Sequence, residues 1–259
     1  MFYIYAALIG LCVGSFLNVV IYRVPLKMSV AKPNSHCPVC KTPIKWYDNI
    51  PVFSYIFLGA KCRNCKTHIP FRYTAVEIAN TLLWVLSAYC FFEKSIFYCI
   101  LSMAVSSILL CIFFIDLENM IIPDRFQVML LVLGILSIFC DKSVIVAEVG
   151  YLSHIIGGVA GFLSFLLISS VVSKIVGKEA LGGGDIKLAG VMGLFLGWQK
   201  LLLALLSASV IATVIILIKS KNNGEKKEFP FGPFLSIGFA LAMFFGDAII
   251  RGYLSLFIM

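Results

Sequence analysis

Apolar residues recur in eight runs, roughly 2–22, 74–92, 95–115, 121–140, 151–172, 185–198, 200–218 and 231–250. A helix that crosses a bilayer needs about 20 such residues. Charge is too sparse for these runs to be core helices of a water-soluble domain. Hydrophobic residues make up 61% of the chain and charged residues 13%, against about 45–50% and about 25% in soluble domains. The expected fold is therefore an all-α polytopic membrane protein with about eight transmembrane helices. The first run has no basic stretch before it and no small-residue cleavage site after it, and is expected to be a retained helix rather than a signal peptide. Three units are expected: a first transmembrane helix (1–22), a polar insertion (23–73) and a seven-helix membrane domain (74–259). No repeat of 20–50 residues is apparent.

The net charge of +8 does not point to nucleic acid, because the cations gather in particular loops. Loops 23–73, 116–125, 173–187 and 219–228 share one side of an eight-span topology and hold 17 of the 21 Lys and Arg residues. The other side keeps Lys94, Lys142, Lys200 and Arg251. Basic loops face the cytoplasm, so the long insertion is expected there, beside the lipid bilayer. Run 185–198 is the weak span: it is short and follows three glycines, so it is expected to cross as a short or partly re-entrant segment.

Nine cysteines fall into two groups. Cys12, Cys90, Cys99, Cys111 and Cys140 are scattered through apolar runs, where cysteine is an ordinary small filler. Cys37, Cys40, Cys62 and Cys65 form two CxxC pairs inside the polar insertion. Such pairs can place four thiolates around one Zn²⁺, and a four-thiolate site with no open position is structural. His36 and His68 adjoin the pairs and are read as solvated neighbours rather than ligands.

Carboxylates near membrane helices are costly and call for a reason. Asp116 closes the third run, and Asp185 follows Gly182, Gly183 and Gly184 at the start of the sixth. Both are expected at the cytoplasmic membrane edge. Two carboxylates in one apolar site do not readily both ionise, so one can act as acid while the other acts as base. Such a pair can activate water against an amide and protonate the leaving nitrogen. The glycines would let an extended substrate strand approach closely. Asp185 alone could be no more than a helix cap. Asp124, with Gln127 three residues later, has capping-box spacing. Glu118 reads as a solvated loop residue, and Glu77 as a receptor for a positive substrate group or a partner of Arg72. A proton-coupled transporter would place its carboxylates nearer the midplane, and a non-enzymatic scaffold would leave the matched depth of Asp116 and Asp185 without a reason.

Several motifs occur in order along the chain. They are Gly10-Leu-Cys-Val-Gly14-Ser-Phe-Leu-Asn18 through Arg23-Val-Pro25, His36-Cys-Pro-Val-Cys40, Lys61-Cys-Arg-Asn-Cys65 and Arg72-Tyr73 with Glu77. Asp116 through Pro123-Asp124, Gly182-Gly-Gly-Asp185-Ile-Lys187 and Pro230-Phe-Gly232-Pro follow. With this set the chain resembles the bacterial type IV prepilin peptidases, which belong with the GxGD membrane aspartyl proteases. The resemblance implies an inner-membrane enzyme that removes the short basic leader of type IV prepilins or pseudopilins after a glycine, at the cytoplasmic face. It implies that Asp116 and Asp185 are catalytic and that the four cysteines hold zinc; Asp124, Glu77, Gly182, Gly183, Gly184 and Lys187 are expected to support the site or its substrate. It also implies methylation of the new N-terminus with S-adenosylmethionine, associated with the region near Gly59 and Lys61. The chain departs from the common pattern at Ala60, between that glycine and lysine, and at Thr74, where proline is usual.

Overall fold

A computed structural model describes residues 1–140, 150–177, 181–223 and 229–256. Lys142 and parts of two basic loops, 178–180 and 224–228, lie outside the described residues. Among the described residues eight long helices carry the fold: α1 (Phe2–Arg23), α3 (Arg72–Phe91), α4 (Ile96–Asn119), α5 (Asp124–Cys140), α6 (Gly150–Val176), α7 (Gly183–Leu196), α8 (Trp198–Asn223) and α9 (Gly232–Ser255). Between α1 and α3 lie a 3-10 turn (Trp46–Asn49) and the short α2 (Phe53–Phe57). The described residues contain isolated bridges but no strand. Among the described residues six helices are long and apolar enough to cross a membrane, and the chain is an integral membrane protein. The other two, α5 and α7, have 17 and 14 residues.

Small residues bring the helices together. Lipid is as apolar as leucine, so close van der Waals contact and internal hydrogen bonds must drive helix association. Gly10 and Gly14 form a GxxxG face on α1, and a Cβ on Gly14 would lie 2.8 Å from Glu77 Cα of α3. Along the same seam the Asn80 amide donates to the Gly10 carbonyl (2.8 Å) and accepts from the Ser107 hydroxyl of α4 (2.8 Å). The Trp84 indole N–H also reaches Ser107 (2.9 Å). A second close crossing joins α6 and α7, where a Cβ on Gly193 would sit 2.0 Å from the Gly157 carbonyl oxygen.

This second seam accounts for the short run near 185. Helix α7 is about 21 Å long at ~1.5 Å per residue, less than the ~30 Å hydrocarbon core. Its Leu188, Ala189 and Met192 are completely buried, because α5, α6 and α9 pack around it. Protein rather than lipid therefore surrounds its middle. At Gly197, with φ +78°, the chain turns directly into α8.

Helix α4 runs further than its apolar stretch predicts. It continues to Asn119 and stops at Met120 in the left-handed region, whose N–H bonds the Asp116 carbonyl. Asp116 thus lies inside the last turn rather than after it.

Candidate active site and metal centre

Three helix ends and one loop residue converge around Asp116. The side chain is buried, and its Oδ2 accepts the N–H of Gly232 (3.0 Å) at the start of α9. A Cβ on Gly232 would lie 2.6 Å from that oxygen, so glycine is needed for the backbone to come this close. Ile122, in the loop after α4, wedges between two helix starts. Cβ atoms on Gly184 and on Gly232 would lie 2.9 Å from its Cβ and 3.0 Å from its Cδ1.

Asp185 stands in the first turn of α7, directly after Gly184, which packs on the same Ile122 that meets Gly232 beside Asp116. It is not the helix cap, since Gly182 occupies that position and makes no side-chain capping bond. Asp185 Oδ1 is buried and has no hydrogen-bond partner. An unpartnered buried oxygen calls for a donor, either water or a shared proton. Of the preceding glycines, Gly184 packs on Ile122, Gly182 lies beside Asp185 Oδ2, and Gly183 faces open space.

The supporting residues divide. Asp124 does begin α5, but the predicted capping box does not form. Gln127 instead donates across to the Gly184 carbonyl (2.9 Å), and Asp124 pairs with Lys187 on the exposed surface. Gln127 is a residue that the capping-box reading missed as a link between α5 and the glycine turn. Its only signal in the sequence was an amide side chain set among apolar residues. Arg72 pairs with Glu118 rather than Glu77, and Glu118 belongs to the final turn of α4 rather than to a loop. That ion pair joins the start of α3 to the end of α4, so the insertion and the two aspartates share one end of the bundle. Glu77 is buried and accepts the N–H of Val52 (2.8 Å). Val52 has φ +63°, a strained angle for a β-branched residue, so this bond pins the insertion to α3.

The four insertion cysteines form one cluster. Their sulfurs all lie within 4.8 Å of one another, with Cys37–Cys65 at 3.7 Å and Cys40–Cys62 at 4.0 Å. Thiolates ~2.3 Å from a tetrahedral metal lie about 3.8 Å apart, so the cluster can hold one metal ion. Neither His36 nor His68 belongs to it. The two knuckles are copies of one turn, with Cys-x-x-Cys-Lys-Thr at 37–42 and again at 62–67. This short repeat was not apparent from the apolar pattern. In each copy the lysine N–H returns to the first cysteine carbonyl (3.0 Å), and that cysteine's N–H bonds the threonine carbonyl. Lys41 and Lys66 take φ +59° and +60°. The Thr42 hydroxyl beside Cys40 pulls its thiol down to about 5, and Thr67 lowers Cys65 in the same way. Both then favour the thiolate that binds metal.

Residues 8–91 match the bacterial peptidase A24 N-terminal domain, and residues 103–217 match the type IV leader peptidase family. The chain belongs to the type IV leader peptidase family. Its relatives include the prepilin leader peptidase/N-methyltransferase of Aeromonas salmonicida (strain A449), 33% identical over 275 residues that cover 96% of this chain and 92% of that protein. The Pseudomonas aeruginosa protein of the same name is 33% identical over 274 residues, covering 95% and 91%. That of Myxococcus xanthus (strain DK1622) is 36% identical over 231 residues, covering 88% and 67%. No solved structure matches the chain. The first family match ends within α3 and takes in both knuckles, while the second takes in both aspartates. Leu58, the residue before Gly59, lines a hollow of about 230 Å³ together with Tyr47, Phe53 and Arg63.

Proposed function

We infer that this leader peptidase family member is a membrane aspartic endopeptidase that cuts the basic leader from type IV prepilins or pseudopilins after glycine, and then N-methylates the new N-terminus. The observation that carries the peptidase half is the meeting of Asp116 and Asp185 at one end of the bundle. Asp116 is oriented by the Gly232 N–H, and Asp185 Oδ1 is left without a partner. A water held between the carboxylates loses its proton to one of them as it attacks the scissile carbonyl. The other carboxyl donates its proton to the leaving nitrogen. The pair titrates as a unit.

The basic insertion lies at the same end, which by the positive-inside rule is the cytoplasmic face of the inner membrane. Four thiolates at tetrahedral spacing suit zinc, held by Cys37, Cys40, Cys62 and Cys65. With no position left open, the ion would tie the two knuckles together and take no part in hydrolysis. S-adenosylmethionine would supply the methyl group.

Asp116→Asn and Asp185→Asn should each abolish prepilin cleavage while expression and membrane insertion stay normal. Processing by either variant in cells that lack the native enzyme would end the aspartyl reading.

A further inference from the structure

Hydrolysis at Asp116 and Asp185 leaves the buried Arg23 and the large cleft that it lines without a role. The cleft, about 670 Å³, runs between one face of α1 and the insertion. On α1 it is lined by Cys12, Phe16, Val19 and Arg23, whose spacing of three or four residues makes them one stripe along the helix. From Cys12 to Arg23 the stripe is about 16 Å long at ~1.5 Å per residue, close to half of the ~30 Å hydrocarbon core. It is apolar for most of that length and ends on a cation. The facing wall includes Asn34, Ser35 and Asn49 of the insertion, whose side chains make no hydrogen bond among the described residues.

Arg23 is only 6% exposed. Its Nη1 donates to the carbonyls of Ser29 (3.0 Å) and Val30 (3.4 Å), and its Nη2 to that of Pro33 (2.7 Å). These bonds shape the loop after α1, but they bring dipoles and no charge. Among the described residues no ion pair involves Arg23, and its Nε–H has no partner. A buried charge is ordinarily paired. Here the neighbouring chain supplies no anion: residues 1–47 contain no Asp or Glu, while Arg23, Lys27, Lys32, Lys41 and Lys45 are all basic. The next acids are engaged elsewhere, Asp48 with Arg63 and Glu77 with the Val52 N–H. An anion from outside the chain is the complement, and phosphate matches the guanidinium fork.

We propose that the cleft binds an anionic phospholipid of the leaflet that the insertion faces, with its phosphate on Arg23 and an acyl chain along Cys12, Phe16 and Val19. A soluble phosphate would use the cationic end and leave the apolar stripe without a partner. A lipid uses both, because α1 spans the membrane and the stripe is about as long as one leaflet is deep. The charge bias that assigns the insertion to the cytoplasm also sets it against the more anionic leaflet, where basic pockets beside membrane helices take up such headgroups. Trp46, 81% exposed and lining the same cleft, has the amphipathic ring that suits headgroup depth. The lipid would join α1 to the insertion as a second tie, beside the bond from Val52 to Glu77.

Full-length protein in a non-ionic detergent is titrated with phosphatidylglycerol, and bound lipid is counted by native mass spectrometry. One molecule per chain should bind ahead of any others. Phosphatidylcholine with the same acyl chains should bind at least about fivefold more weakly, the scale of one cation acting on an anionic headgroup. Glycerol 1-phosphate, which has the phosphate but no acyl chain, should not displace the lipid. Arg23→Gln should lower the affinity by about tenfold or more, the scale of a hydrogen bond to a charged group. Because Arg23 also shapes its loop, Val19→Trp is the independent variant: its ring fills the stripe, leaves the guanidinium in place and should weaken binding by a similar factor. Undiminished binding by Val19→Trp or by folded Arg23→Gln overturns the proposal, as does equal affinity for phosphatidylcholine. Displacement by glycerol 1-phosphate would make this a soluble-phosphate site, and displacement by a peptide of the prepilin's apolar segment would give the stripe to the substrate; either result also overturns it.

Discussion

The cysteine insertion and the aspartate site sit at the same end of the molecule but are held together by opposite means. The insertion is open: Trp46 and Phe57 are 81% and 85% exposed, and its knuckles depend on backbone turns closed within six residues and on four sulfurs. The aspartate site is closed. Its parts come from α4, α7 and α9 and the Ile122 loop, and they fit because Gly184 and Gly232 have no side chains. One region is organised by local backbone turns and by four sulfurs spaced so that they could hold a metal ion. The other is organised by distant segments packed without slack, so a single methyl group should matter far more there.

The sharpest way to break this contrast is Gly232→Ala. The added Cβ would meet Asp116 Oδ2 at 2.6 Å and Ile122 Cδ1 at 3.0 Å, forcing the carboxylate or the helix start to shift. A displacement of ~1 Å at a reacting group costs on the order of 100-fold. Cleavage should fall by about that factor while the metal content of the insertion is unchanged. Near-normal cleavage would mean that the site has more room than its packing indicates.

The reverse experiment is Cys40→Ser with Cys62→Ser, which removes one ligand from each knuckle. Bound zinc, measured by elemental analysis of purified protein, should drop from about one ion per chain to none, since a four-coordinate structural site needs its full set. Proteolysis should then cut within 24–71 while the helical bundle stays intact, because the bundle's close crossings involve no knuckle residue. Bundle unfolding together with metal loss would show that the two regions are not separately stabilised.

The same contrast governs what could be read from sequence. Cysteine spacing is local, so the knuckles and the clustering of their four cysteines were legible directly. Apolar runs and loop charge likewise revealed the eight helices and put both aspartates at one end. The wedge of Ile122, the Gly232 N–H that orients Asp116 and the Val52 bond to Glu77 were not legible. Each joins segments at least 25 positions apart through atoms that no periodicity encodes. Glu77 and Arg72 looked like partners because they are neighbours on one helix, but Arg72 found Glu118 across the bundle.

The smallest expected effect comes from the motif that sequence spacing misjudged. Asp124 and Gln127 have the spacing of a capping box, yet they face different surroundings. Asp124 meets Lys187 on the surface, with side chains 75% and 51% exposed, and such a pair contributes about 0.2–1 kcal/mol. Asp124→Asn should therefore reduce cleavage by less than about fivefold, the equivalent of that energy. Gln127 is buried, and its amide holds the Gly184 carbonyl beside Asp185. Gln127→Leu leaves that carbonyl unpaired at a cost of about 1–3 kcal/mol, and it frees the turn that aims Asp185. Its effect on kcat should exceed that of Asp124→Asn, with little change in KM, because in the proposed mechanism the turn positions a reacting group rather than a binding surface. Equal effects of the two changes in a single-turnover cleavage assay would return Gln127 to the helix start and remove it from the support of Asp185.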